Sequence, residues 1–164
     1  MNTRISWQLA ALGLLLGATP LPAQNLKETQ RAIRERILTE AGTETLIYSR
    51  VDFNGCAVTI QARTPRGPRG EEQRMVHLFH ASSLDPEVEA PNADGIVRLG
   101  AASGKSSIRL VTRVIDTLVR EKVSMQRELS LAFGQQTAAQ AVAQAFGHLV
   151  KLCLKDDRFK TASK

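Results

Sequence analysis

Aromatic side chains are scarce in this chain: five Phe, one Tyr and one Trp in 164 residues. Readers of single-stranded nucleic acid stack bases on aromatic rings and gather Lys and Arg around them. Neither feature is present, because the basic residues are interspersed with acidic ones, so no nucleic-acid partner is expected. Histidine is also sparse. His77, His80 and His148 are the three in the chain, and no group of His, Cys, Asp or Glu has zinc-site spacing, so no metal is expected. No serine stands in a GxSxG elbow, and Asp85, Glu87, Glu89 and Asp94 lack the one-three-five order of a calcium loop. These absences leave no catalytic residue and no cofactor to nominate. Beyond residue 23, no apolar run approaches the roughly 20 residues that a membrane-spanning helix needs.

What is there begins with an address. Arg4 supplies positive charge without an acidic neighbour, Leu9 to Leu16 (LAALGLLL) form a short apolar run, and Gly17, Ala18 and Pro20 break the helix ahead of Ala23. Translocase and signal peptidase read those features in order, so residues 1–23 read as a signal peptide cut after Ala23. A cut after Ala18 is the alternative, because Leu21 is large for its position relative to the first site. A retained anchor is the competing reading; the brevity of the run and the breaks at Thr19, Pro20 and Pro22 argue against it. The rest of the chain is then expected to be periplasmic or secreted.

That remainder is long enough for one domain with a single core. It carries 21 basic against 16 acidic side chains, a balance that suits an anionic lipid head group or envelope polymer as well as a plain basic surface. Its two cysteines, Cys56 and Cys153, are far apart, and an even count in an exported domain predicts a Cys56–Cys153 disulfide. Two buried free thiols or a lone nucleophile are the alternatives.

Residues 25–41 repeat Leu26, Ile33, Ile37, Leu38 and Ala41 at helical spacing, with Gly42 as a stop, which predicts an opening amphipathic helix over 24–43 packed on the domain. Thr45–Val51 and Cys56–Ala62 alternate apolar and polar residues around Asp52-Phe53-Asn54-Gly55, a hairpin signal. Arg63–Glu72 (RTPRGPRGEE) reads as a loop, Arg74–His80 as a third strand, and Ser82–Asp94 as an exposed loop. Ile96–Leu99 and Ser107–Val114 read as strands joined by a Gly-Ser turn. From Val114 to Val123 the pattern is mixed: Ile115, Leu118, Val119 and Val123 fit a helix face, whereas the β-branched content favours a strand, so residues 115–126 stay open between the two, with strand continuing into loop as the reading; Glu128–Phe133 reads as the last strand. The strongest element is a helix over Gln136–Leu154. Thr137 and Gln140 suit a capping box at its start, and Ala138, Val142, Ala145, Phe146, Leu149 and Cys153 form its apolar side. Gly147 reads as a close-packing point against the sheet, and residues 155–164 as a frayed polar tail.

Gly100–Ser107 (GAASGKSS) approaches the phosphate-cradling GxxxxGK[ST] loop, but Leu99 occupies the position of the first glycine and a strand follows where a helix should. It reads as a turn. On a strand, His77 and His80 face opposite sides and cannot share a ligand. The remaining candidate is the Arg loop: Arg63, Arg66 and Arg69, with Arg74 nearby, could present guanidinium forks to phosphate or carboxylate. A solvated loop guarding a sheet edge explains the same residues.

From TLIYSRVDFNGCAVTIQ to ELSLAFGQQTAAQAVAQAFGHLVKLC, residues 44–154, the element order resembles the pleckstrin-homology superfold. The resemblance implies an α+β fold: an antiparallel sheet or partly open barrel of six or seven strands, plugged at one end by the closing helix. It also implies a binding or scaffolding role rather than an enzymatic one. The expectation is a non-enzymatic module recognising a protein or an anionic envelope component; a small hydrolase-like enzyme and an immunity-type inhibitor of an exported toxin are the alternatives.

Overall fold

The computed structural model describes residues 25–162 apart from 69, 89–90, 92–93, 103–105 and 117. The signal-peptide reading of residues 1–23 therefore lies outside the described residues, as does Arg69. Helix α1 (Leu26–Glu40) starts at a capping box: Asn25 Oδ1 accepts from the Glu28 amide at 3.0 Å and the Asn25 amide donates to Glu28 Oε2 at 3.2 Å. Its fully buried Ile33 and Ile37 belong to the same core as the strands, whereas Leu38, assigned to that apolar side from the sequence, is exposed.

Strands β1 (Gly42–Thr43), β2 (Leu46–Asn54), β3 (Ala57–Arg63), β4 (Glu72–His80), β6 (Ile108–Ile115) and β7 (Val119–Gln126) form an antiparallel sheet in that order. Strands β5 (Ile96–Gly100) and β8 (Glu128–Ala132) pair as a second small sheet. The class is α+β, with an open sheet and two helices, as expected. The core lies between the six-stranded sheet, the small sheet and both helices, where Val51, Val58, Ile60, Val97, Leu99, Leu131 and Phe146 are almost fully buried. Tyr48 crosses from one sheet to the other, its hydroxyl donating to the Ser130 carbonyl at 3.5 Å.

Helix α2 (Gln136–Ala162) buries every residue of the expected apolar side. It begins at Gln136, so Thr137 lies inside the first turn rather than capping it. It also continues through residues expected to fray. Once a helix is nucleated by packing, each further residue adds a backbone bond, and Lys155 to Ala162 contain no Gly or Pro to stop it. The disulfide is present: Cys56 and Cys153 are bonded, tying the β2–β3 turn to α2.

Further local readings are corrected or refined. The β2–β3 turn is the two residues Gly55 and Cys56 between the paired Asn54 and Ala57, not the four residues Asp52–Gly55, with Gly55 supplying the positive φ of 56° that hairpin turns require. The strands either side of GAASGKSS belong to different sheets: β5 joins β8, and β6 lies between β4 and β7. Residues 119–126 form a full strand rather than loop, in register from Ile115↔Val119 to Ile108↔Gln126. Gly147 meets the Pro86 carbonyl, 3.2 Å from where a Cβ would stand, and not the sheet. Part of the segment read as an exposed loop, Ser82–Asp94, is also anchored: Ser82 and Ser83 complete a 3-10 turn over Ala81–Ser83, and Leu84 is buried.

Gly95 has φ of 67°, and a Cβ there would lie 2.5 Å from the Phe133 carbonyl oxygen. Left-handed backbone alone costs a residue with a Cβ about 1 to 2 kcal/mol. Gly95→Ala is expected to lower the unfolding free energy by about 2 kcal/mol in urea titration; an unchanged midpoint would show that the turn relaxes freely.

Candidate anion-binding site

The pleat of β3, β4 and β6 sends alternate side chains away from the core. Register then decides which of them meet. Arg63 pairs with Arg74, Arg74 with Arg113, and Arg113 with Glu121, so one row across four strands reads Arg-Arg-Arg-Glu. The next row is Gln61, Val76, Val111 and Val123, and the one after it Thr59, Leu78, Arg109 and Met125. Directly opposed side chains in such pairs have Cβ atoms about 5 Å apart, and like charges so placed are destabilising.

Glu72, only 5% exposed, offsets part of that repulsion. Arg74 Nε donates to Glu72 Oε1 at 2.6 Å, and Arg66 Nε lies 3.9 Å from Oε2. The Arg74 hydrogen bond, with the attraction of Arg74, Arg63 and Arg66 behind it, holds the Glu72 carboxyl below its ordinary range in spite of its burial. Arg113 Nε donates to Glu121 Oε2 at 2.6 Å, with both side chains largely in solvent. Four guanidinium groups thus share two carboxylates.

Beside this row lies a cavity of about 370 Å³ lined by Arg63, Arg74, Arg113, Glu72, Gln61, Val76 and Ser49, among others. Ser49 sits where the β2 register shifts between Tyr48 and Arg50, a bulge that sets an extra residue at the cavity rim. Glu72 is the one carboxylate among the lining residues. Guanidinium forks bind phosphate or carboxylate oxygens bidentately, and the Gln61 amide and Ser49 hydroxyl add neutral partners.

Of the arginines singled out in the sequence, Arg63, Arg66 and Arg74 gather round Glu72. Arg113, Gln61 and Ser49 were missed. Arg113 is distant from the Arg loop in sequence, and only the β4–β6 register brings it in.

The histidines divide as their strand positions require. His80 is exposed, with Nδ1 2.7 Å from Ser82 Oγ and 3.9 Å from Asp157 Oδ2. Serine and carboxylate thus converge on one ring nitrogen, whereas a nucleophilic triad places them on opposite nitrogens. His77 faces the core between its strand partners Ile60 and Leu110. Its Nδ1 is buried without a hydrogen-bond partner, and burial pushes the imidazole pKa down to about 4. Among the described residues, no group of three or more His, Cys, Asp or Glu could hold a metal ion, and no helix is long and apolar enough to cross a membrane. No protein-family model, curated protein or solved structure matches this chain.

Proposed function

We propose that this chain is an exported, non-enzymatic binding module that takes an anionic group of a protein or envelope component into the cavity beside Arg63, Arg74 and Arg113. The observation that carries the reading is the cross-strand row of three arginines opening on a cavity with a single, already committed carboxylate. Such a row opposes folding through like-charge repulsion, and an anion bound across it relieves that repulsion. The disulfide suits the oxidising compartment that the export reading supplies. An antiparallel sheet with an early hairpin and a closing C-terminal helix supports the pleckstrin-homology-like reading of its build.

Titration calorimetry at low salt tests the proposal with three probes: inorganic pyrophosphate, vesicles containing an anionic phospholipid, and an acidic peptide. Saturable binding of at least one is expected. Arg74→Gln and Arg113→Gln should each weaken it about tenfold, the scale of one charge-assisted contact. Glu72→Gln should act in the opposite sense, tightening binding about threefold or more as Arg74 and Arg66 are released toward the ligand. Binding indifferent to all three substitutions would place the recognition surface elsewhere.

A further inference from the structure

The two ends of the six-stranded sheet are treated differently. On one side β1 is two residues long and Ala41, just before it, bridges to Phe133 after β8. On the other, β7 runs for eight residues, and its backbone pairs only with β6 among the described residues. Every β7 residue is exposed or half-buried.

Its side chains sort by face, with Glu121, paired to Arg113, as the one charge on the apolar side. Val119, Glu121, Val123 and Met125 continue the outer rows that run through Ile115, Arg113, Val111 and Arg109. Val119, Val123 and Met125 are 70, 49 and 55% exposed, and Leu118 at the hairpin tip is 72% exposed. Among the described residues these four make up most of the large apolar side chains in solvent. Arg120, Lys122, Ser124 and Gln126 occupy the opposite face, where the first two are exposed cations. Arg120 is held by Asp116 at 2.5 Å, while no ion pair to Lys122 falls among those of the described residues.

A free strand edge offers backbone donors and acceptors to an added strand, and alternate side chains then choose the sequence. Here the outer face, apolar at Val119, Val123 and Met125 and with Glu121 already paired to Arg113, asks for apolar residues, and the inner face for carboxylates. A second copy of this chain fits poorly. When two β7 edges pair antiparallel with their outer faces aligned, the cations Arg120 and Lys122 of both copies fall on one face. We propose that the β7 edge receives an extended partner segment alternating apolar and acidic residues, its carboxylates meeting Arg120 and Lys122 and its apolar side chains covering Val119, Val123 and Met125. This site adjoins the arginine row at Glu121 but uses other side chains, and it would stand if the cavity bound nothing.

The test uses three labelled eight-residue peptides: one alternating Val and Glu, one of the same composition with Val and Glu in blocks, and one alternating Val and Lys. Fluorescence anisotropy measures affinity, and amide hydrogen exchange locates the contact. The alternating Val/Glu peptide is expected to bind at least about tenfold more tightly than either other peptide and to slow exchange within residues 119–126. In the double variant R120E/K122E, checked for unchanged circular dichroism, the preference should invert toward the Val/Lys peptide. The proposal is overturned by equal affinity for the block peptide, by protection confined to other strands, by an uninverted preference, or by failure of every peptide to bind. Failure of the peptides together with self-association or vesicle binding that protects β7 overturns it in favour of a second copy or a lipid surface.

Discussion

Replacing both Cys56 and Cys153 by alanine is expected to lower the unfolding free energy by about 4 kcal/mol, measured by urea titration of the variant beside the oxidised protein. The bonded residues are 97 apart in sequence, and closing a loop of about 100 residues removes up to roughly 4.7 kcal/mol of denatured-chain entropy in the simplest polymer treatment. Native strain and residual denatured structure reduce such gains. Packing acts in the other direction, because Cys153 is fully buried and Cys56 nearly so, and their loss leaves space in the core. The cross-link also has a local consequence. It pins the turn of the β2–β3 hairpin, whose other end carries Ser49, Gln61 and Arg63 into the cavity. Loosening that hairpin should blur the arginine row, so the same variant should bind anions more weakly even at temperatures where it stays folded. A loss under 1 kcal/mol would mean that α2 and the hairpin are held by packing alone.

Acidification from pH 6.5 to 4 is expected to cost about 3 kcal/mol of stability through His77 alone. In the unfolded chain its imidazole takes up a proton near pH 6.5. In the fold, burial against Ile60 and Leu110 delays that uptake to about pH 4. Between those values the unfolded state binds the extra proton, so stability falls as pH falls and is fully present above the unfolded pKa. The Glu72 carboxyl, whose value is lowered, acts in the same direction but only under acid conditions: its contribution is present above the ordinary carboxylate range and lost below its folded value. His77→Leu separates the two. It replaces a side chain that has an unpartnered buried nitrogen with one of similar size, so at pH 7 it should be neutral or stabilising. Urea midpoints of this variant should lose most of their slope between pH 6.5 and 4.5 while keeping the fall at lower pH. An unaltered slope would show that His77 takes its proton in the folded state without penalty.

How much of this was legible in the sequence depended on whether a segment has a core to face. The β2–β3 hairpin, α1 and the first five turns of α2 each bury one side, so apolar residues recur at the period of the element and mark it in the sequence. Strand β7 has no such side. Its Val119, Val123 and Met125 point outward and its Arg120 and Lys122 lie on the other face, both in solvent. Without burial to enforce a pattern, VREKVSMQ carries no clear period, and its apolar residues fit a helix face as well as a strand. The tail of α2 failed for a related reason: residues past Leu154 are mostly polar and carry no packing signal, yet they extend a helix already fixed at Leu149 and Cys153. The site was half legible. Arg63, Arg66 and Arg74 cluster in sequence because a hairpin loop joins their strands. Arg113 arrives after the chain has left for β5 and returned as β6, a detour that local reading cannot follow. The pairing of β5 with β8 was hidden in the same way, since strands this far apart leave no local mark of their partnership.

Arginine side-chain NMR during titration with a phosphate-bearing ligand addresses the anion site most directly. The Nε–Hε resonances of Arg63, Arg74 and Arg113 should shift together and saturate with one Kd, while Arg31 and Arg36, which are paired with Glu35 and Glu40 on α1, stay in place. Shifts spread evenly over all surface arginines, or confined to α1, would contradict a binding site on the Arg63–Arg74–Arg113 row.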